Sequence, residues 1–405
     1  MQTIGPLRHQ TVRADRILHV IPYFRPAFGF GGPAFSSDLV TAALARRGYR
    51  VGVWTTDVAN PVGARVSTSS ESLNGVEVSR YHYTSKALYR FSNLLFSPGM
   101  VVDAATIGAP SPDLVHLHDF RSVQAVAAHV LCRRRHIPLL LQPHGTLARI
   151  GGKERLKALY DLLLGSKLAR QATRVLVLSS SEANDCKSLG IDEGKVVIIR
   201  NGVPIPSEHD ICQRGRFRAT HGIELDAFLV LYLGRIRESK GVLTLMDAFE
   251  DVSRTHSKAV LVVCGTDDGA ESELRRRAAR GKLKVVFPGL VTGQQKAEVF
   301  IDSDVFCLPS KFETQSVSLL EAASFGLPIV AGTHNVPAEF LREQAGLFGR
   351  VDRASLRESI SYLAESETTR REAGRRARST VERFFRIDDV LDAIDRLYQE
   401  VLHNG

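Results

Sequence analysis

Val305-Phe306-Cys307-Leu308-Pro309-Ser310-Lys311-Phe312-Glu313-Thr314-Gln315-Ser316-Val317-Ser318-Leu319-Leu320-Glu321-Ala322, continued by Gly326-Leu327-Pro328-Ile329-Val330-Ala331, is the stretch that decides the fold. Val305 to Leu308 is a short apolar run, as a buried strand is. The strand ends near Pro309, a helix begins near Ser316, and Pro328 to Ala331 reads as the next strand. Strand, helix and strand in this order make a parallel β-α-β unit, and open parallel sheets bind ligands beyond the carboxyl ends of their strands. Glu313 falls on the loop at that edge, and Glu321 lies on the helix with seven residues between the two. The backbone N–H groups of Gln315, Ser316 and Val317 stand at the helix start, where they can meet an anion. The same pattern also suits a plain capped helix whose dipole Glu313 complements.

The alternation extends in both directions. After it restarts at Phe228 to Leu233, the second half has strands at Ala259 to Val263 and Lys284 to Phe287. The first half has Arg16 to Ile21, Val51 to Thr55, Leu114 to Leu117, Pro138 to Leu141, Val175 to Leu178 and Val196 to Ile199. The polar stretch from Pro204 to Asp226 connects the halves. A chain of 405 residues exceeds one ordinary core. The expected fold class is therefore α/β, with two Rossmann-like units in tandem. Residues 1–204 form the first domain and residues 205–384 the second. Ile387, Val390, Ile394, Leu397 and Val401 then form the stripe of a last helix within residues 385–405, long enough to bridge both.

Hydrophobic residues are 44% of the chain and charged residues 24%, as in a soluble globular protein. No apolar run is long enough to span a bilayer, and the polar, basic N-terminal stretch shows no signal-peptide core. Cys132, Cys186, Cys212, Cys264 and Cys307 are scattered and form no Cys-x-x-Cys pair, so neither a disulfide framework nor a zinc site is indicated. These features point to the cytoplasm. The net charge of +9 favours anionic partners. Nucleic acid is not expected, since no basic region with interleaved aromatics or helix-turn-helix pattern is present.

Other strand ends carry further candidates. In Leu233-Gly234-Arg235-Ile236-Arg237-Glu238-Ser239-Lys240-Gly241, Gly234 permits a tight turn, after which Arg235 and Lys240 either converge on a phosphate or form a solvated basic loop. The spacing is not that of a Walker loop. Gly31 and Gly32, in Phe28-Gly29-Phe30-Gly31-Gly32-Pro33, permit close approach to a phosphate, although the dinucleotide fingerprint fails. His116 and His118 share a strand face, so a metal pair is conceivable, but no third ligand is suggested and a structural role is expected for His116. His144 follows another strand in Gln142-Pro143-His144-Gly145-Thr146. Asp302-Ser303-Asp304 is formally Asp-x-Asp but sits at the start of a strand, where a structural Asp304 is expected. Residues 149–174 interleave Lys153, Arg155, Lys157, Lys167 and Arg170 with Leu156, Leu159, Tyr160, Leu163 and Leu164. Such a helix either rests on an anionic membrane or packs on its own domain.

Taken together, these residues resemble the retaining glycosyltransferase family 4 (glycosyl transferases group 1) over nearly the whole chain. The most specific elements are Glu313 and Glu321 with Gly326-Leu327-Pro328, Arg235 with Lys240-Gly241, and Asn201-Gly202-Val203. Gly31-Gly32, Arg47-Gly48, His116-x-His118 and Ser179 to Glu182 support them. The resemblance implies a GT-B fold, with two Rossmann-like domains facing across a cleft and the last helix crossing back to the first. It implies that Arg235 and Lys240 bind the donor diphosphate, Gly31 and Gly32 approach it, and Glu321 holds the ribose. Glu313 would contact the donor sugar, with His144 near it from the first domain. Two departures stand out: Gln315-Ser316 replaces the usual aromatic and glycine, and the usual glycine-rich loop reads Cys264-Gly265-Thr266-Asp267-Asp268-Gly269.

The expected activity is transfer of a hexose from a nucleotide-diphosphate sugar to a hydroxyl of a glycan or lipid-linked acceptor. The setting is surface polysaccharide biosynthesis, in the cytoplasm or peripherally on the inner face of the plasma membrane, with no metal cofactor. Retention follows from the resemblance; with no enzymic nucleophile evident, a front-face route is expected. The alternatives are a transferase with a soluble acceptor, a nucleotide-sugar epimerase of the same fold, and a non-catalytic nucleotide-sugar-binding protein.

Overall fold

The computed structural model describes residues 15–87, 89, 94–106, 108, 110–148, 154–207, 214–333, 340–341 and 346–403. Its contacts divide the chain into two units. One holds the described residues of Met1–Phe28, Pro33–Ile199 and Leu391–Gly405; the other holds those of Gly29–Gly32 and Arg200–Val390.

The sheet of the first unit uses β1 (Arg16–Val20), β2 (Arg50–Thr56), β3 (Ser70–Leu73), β4 (Val76–Tyr81), β5 (Leu114–His118), β6 (Leu139–Gln142), β7 (Arg174–Val177) and β8 (Val196–Ile198). Their spatial order is β3-β4-β2-β1-β5-β6-β7-β8, parallel except for β3 against β4. That antiparallel pair is not evident from hydrophobic pattern, because Ser70–Leu73 contains one apolar residue. Its signal lies in the turn: Asn74 and Gly75 have φ of 53° and 82°, as a two-residue hairpin loop requires. Helices α1 (Gly32–Arg46), α2 (Pro98–Thr106) and α3 (Val123–Arg135) precede a nearly continuous helical stretch. This stretch comprises α4 (Glu154–Tyr160), a π-turn (Asp161–Gly165) and α5 (Ser166–Gln171), followed by α6 (Ser180–Ser188). Ser122 caps α3 by accepting from the Ala125 amide at 3.2 Å.

The second unit carries β9 (Phe228–Leu233), β10 (Ala259–Cys264), β11 (Val285–Gly289), β12 (Val305–Leu308), β13 (Ile329–Gly332) and β14 (Gly346–Gly349), ordered β11-β10-β9-β12-β13-β14. Every pairing is parallel. Central strands in such sheets are covered on both faces, so their sequences are continuous rather than alternating; all six residues of β10 are buried. The helices are α7 (Arg216–Thr220), α8 (Val242–Thr255), α9 (Glu271–Gly281), α10 (Gly293–Asp302), α11 (Val317–Ser324), α12 (Arg353–Glu365) and α13 (Glu367–Phe384).

The last helix, α14 (Ile387–His403), groups with the first unit from Leu391 onward. Its buried stripe is Val390, Leu391, Ile394, Leu397, Tyr398 and Val401, the three- and four-residue spacing of one helix face. Tyr398 is absent from an apolar reading of that face yet is fully buried. Among the described residues, no helix is long and apolar enough to cross a membrane. Cys132, Cys186, Cys264 and Cys307 are free and buried; Cys212 lies outside the described residues.

Candidate functional site

Strand order in the second unit places a switch point between β9 and β12, from which the chain leaves in opposite directions. Loops diverge there and leave room for a ligand. Gly241 decides how the two loops meet. Its φ is 73°, and a Cβ on it would lie 2.0 Å from the carbonyl oxygen of Pro309, so no other residue fits without backbone movement. This approach brings the turn Glu238–Lys240 beside the end of β12. Lys240 Nζ then donates to Glu313 Oε1 at 2.6 Å, in a pair mostly withdrawn from solvent. Arg235 and Arg237 lie 3.6 and 3.7 Å from Asp268 Oδ2, so the variant loop after β10 supplies a counter-charge to the basic loop after β9.

Helix α11 starts at the same edge. Ser316 Oγ accepts from the Leu319 amide at 3.3 Å and is its N-cap. The Gln315 side chain accepts from the Asn201 amide at 2.8 Å and donates to the Asn201 carbonyl at 3.1 Å. That side chain is thus committed to holding the chain at Asn201, and Gln315 can offer an anion its backbone amide. Gly202 is needed for packing, since a Cβ there would lie 2.7 Å from Cα of Ile387. The segment Gly29–Gly32 groups with this unit. Gly31 has φ of 98°, and a Cβ on Gly32 would lie 3.3 Å from the Val317 Cγ2 methyl, so Gly32 packs against the start of α11. Glu321, further along α11, is buried and accepts from Lys296 Nζ at 2.5 Å. Burial raises its carboxyl pKa and Lys296 opposes the rise.

Asp302 and Asp304 are occupied elsewhere. Asp302 accepts from the Gly215 and Arg218 amides, and Asp304 from the Leu229 amide and the Arg218 guanidinium. Arg218 itself is fully buried. This Asp-x-Asp ties α7 to the sheet.

In the first unit the switch point lies between β1 and β5, where His19 pairs in register with His116. His118, two residues on, shares that face. The third imidazole that the sequence did not suggest is therefore His19: nitrogens of His19, His116 and His118 all lie within 4.8 Å of one another. His144 follows β6 with φ of 52°, between Pro143 and Gly145 at φ 80°, a backbone state that costs a non-glycine residue about 1 kcal/mol or more. Its surroundings hold it there. Glu182 accepts from the Gly145 amide and, at 2.8 Å, from the Leu178 amide. Burial raises the Glu182 carboxyl to about 7, against the pull of those two amides. Arg121 makes a two-point ion pair with Asp161 at 2.8 and 2.7 Å and donates to the Leu147 carbonyl at 2.8 Å.

The family model described as "Glycosyl transferases group 1" matches residues 213–380, and that described as "Glycosyl transferase 4-like domain" matches residues 31–202. This chain belongs to the group 1 glycosyltransferases. The enzyme is 26% identical to the O-antigen chain mannosyltransferase C of Escherichia coli, over 96% of this chain and 99% of that protein. It is 27% identical to the uncharacterized glycosyltransferase MJ1607 of Methanocaldococcus jannaschii, over 78% of this chain and 80% of the other. In three dimensions it resembles Anabaena Alr3699/HepE in complex with UDP-glucose. That match has a TM-score of 0.75 and 17% identity, with 95% of this chain and 99% of that one covered. The fold is GT-B, as the sequence motifs imply.

The enzyme thus joins Lys240 with Glu313 and brings Gly32, next to Gly31, against Val317 at the head of α11, with Glu321 on the same helix. Lys296, His19, Arg121 and Asp161 were not anticipated. Lys296 belongs to no motif, Arg121 and Asp161 are 40 residues apart in sequence, and His19 and His118 are 99 apart.

Proposed function

We propose that the enzyme moves a hexose, with retention, from a nucleoside-diphosphate sugar to a hydroxyl of a glycan or lipid-linked acceptor in surface polysaccharide assembly. The observation that carries this reading is the Lys240–Glu313 pair at a switch point. A diphosphate arriving there takes over Lys240 and Arg235, and frees Glu313 for the donor sugar. The amides of Gln315, Ser316 and Val317 add the helix terminus, and Gly31-Gly32 allow close approach. Glu321 would hold the ribose, and His144 the donor sugar. As the anomeric C–O bond breaks, charge grows on the leaving diphosphate, and these fixed cations and dipoles stabilise it. Two cations and a helix end give the charge compensation that the step needs, so the transfer is proposed to proceed without a metal. Replacing Lys240 should weaken diphosphate binding by about 1.5–3 kcal/mol, the range for hydrogen bonds to charged groups.

The likeness to HepE supports a UDP-sugar donor, and the likeness to an O-antigen chain mannosyltransferase supports a surface-glycan acceptor. The helical stretch after His144 supports action at the inner membrane face. Leu156, Leu159, Leu162, Leu163 and Leu164 are 53%, 51%, 80%, 64% and 49% exposed, with Arg155, Lys167 and Arg170 exposed among them. Residues 149–153 of this basic segment lie outside the described residues. A patch of exposed leucine edged by arginine and lysine suits an anionic lipid surface.

The test is a reaction with UDP-, GDP-, ADP- and dTDP-sugars, lipid-linked oligosaccharide and EDTA, with the anomeric configuration of the product read by NMR. Retained configuration with activity in EDTA supports the reading; an inverted product or strict metal dependence contradicts it. Donor turnover without acceptor would indicate an epimerase. Co-sedimentation with phosphatidylglycerol vesicles, lost in Leu162→Asp/Leu163→Asp, tests the membrane face.

A further inference from the structure

Four histidines and a tyrosine of the first unit form one hydrogen-bonded chain. His144 Nε2 meets His118 Nδ1 at 3.0 Å, and His118 Nε2 meets His19 Nδ1 at 2.9 Å. His19 Nε2 lies 3.4 Å from the Tyr398 hydroxyl, which meets His116 Nδ1 at 2.7 Å. The ring planes of His144, His118 and His19 differ by only 16° and 17° from one to the next, with centroids 5.3 and 5.2 Å apart. Each centroid separation exceeds its N···N distance by about one ring diameter, so the nitrogens lie on the line between ring centres. These are in-plane N–H···N bonds. The lone pairs run head to tail instead of converging on a point, as the ligands of one metal ion must.

Neutral imidazole has one N–H and one lone pair, and each internal ring here meets a partner at both nitrogens. If one donates toward His144, the next must do the same. The hydroxyl of Tyr398 obeys this rule too, donating to one ring and accepting from another. The chain therefore has two self-consistent states, one with Nδ1–H on all four rings and one with Nε2–H on all four. Burial holds His19 at about 3 and His144 at about 4, and holds His116 and His118 well below the usual value, so the rings are neutral near neutral pH.

The two ends choose between the states. His116 Nε2 and His144 Nδ1 are both withdrawn from solvent, and the Gln142 side chain reaches His116. His116 is fully sealed, whereas His144 is only partly buried, at the end of β6. Whichever state the ends select, all four rings take the same tautomer. We propose that His118, His19, Tyr398 and His116 act as positioning residues which lock His144 in the one tautomer that all four rings share. The function of that ring rests on the assignment of His144 to the donor-sugar site; the shared tautomer does not.

The experiment is two-bond 1H–15N correlation of histidine-labelled full-length enzyme near neutral pH, with signals assigned by single substitution. The same tautomer on all four rings is expected. Mixed tautomers would overturn the proposal. So would stoichiometric zinc uptake that shifts the His19, His116 and His118 signals together. Tyr398→Phe keeps the ring and removes the hydroxyl, and should return His116 and His19 to mixed tautomers. It should also lower kcat about fivefold, equivalent to the loss of one buried hydrogen bond, with donor KM little changed. Unaltered tautomers in this variant would count against the chain. If His144→Ala left kcat untouched, the reading of the donor site would fail while the tautomer result stood on its own.

Discussion

Lowering the pH should destabilise the first unit before ordinary carboxylates titrate. His19 and His144 have folded pKa values of about 3 and about 4, against about 6.5 for an unfolded histidine. A base with a depressed folded pKa has its full stability above the unfolded value and loses it as the pH falls toward the folded one. Between about pH 7.5 and 5.0, each of these two histidines then costs about 2 kcal/mol. His116 and His118 act in the same direction. Glu182 acts oppositely: its folded pKa is raised to about 7, so acid restores about 2 kcal/mol through it. For His19, His144 and Glu182 together the balance is a net loss of about 2 kcal/mol over that interval; His116 and His118 add to it, and Asp119 and Asp185, whose carboxyl pKa values burial raises, oppose it. The single tryptophan, Trp54, is 7% exposed in the core of this unit, so its fluorescence during urea unfolding reports this unit directly. His144→Asn should remove about 2 kcal/mol of the pH dependence. Stability that is flat or rises from pH 7.5 to 5.0 would refute the buried, neutral state of these rings.

Three further outcomes follow from single contacts. Gly241→Ala places a Cβ against the Pro309 carbonyl at positive φ; it should lower stability by more than about 1 kcal/mol and weaken donor binding, read by thermal melting and calorimetry. Lys296→Met leaves Glu321 buried beside an apolar chain. Neutral-pH stability should fall by about 3–5 kcal/mol, and the loss should shrink in acid as Glu321 protonates. In Glu182→Gln, one oxygen replaces the two that now accept from Gly145 and Leu178. Stability at acid pH should drop by about 1–3 kcal/mol, and amide exchange at Gly145 should quicken.

The α/β alternation was legible because central parallel strands are covered on both faces, so Phe228–Leu233 and Ala259–Cys264 stand out as unbroken apolar runs. The hairpin at Asn74-Gly75 was hidden by the polar Ser70–Leu73 and was signalled by its turn alone. At the candidate site, residues at strand ends near glycine were visible: Gly234 to Gly241, Glu313, and Gly31-Gly32. Lys296 was not, since a lysine on an amphipathic helix looks like any solvated one until Glu321 is placed beside it. His19 reads locally as part of a strand and Tyr398 as part of a helix stripe, and their chemistry depends on partners far along the chain. Gln315 shows the converse. Its position at the helix start was evident, whereas the engagement of its side chain with Asn201 required the fold.

The most direct test of the central claim is donor binding in EDTA, measured by calorimetry and thermal shift with UDP-, GDP-, ADP- and dTDP-sugars. One of these should bind and raise the melting temperature. Lys240→Ala should weaken that binding at least about tenfold, and Glu321→Ala should weaken it while each variant stays folded. Equal affinity in wild type and both variants, or binding only when a divalent ion is restored, would contradict the site described.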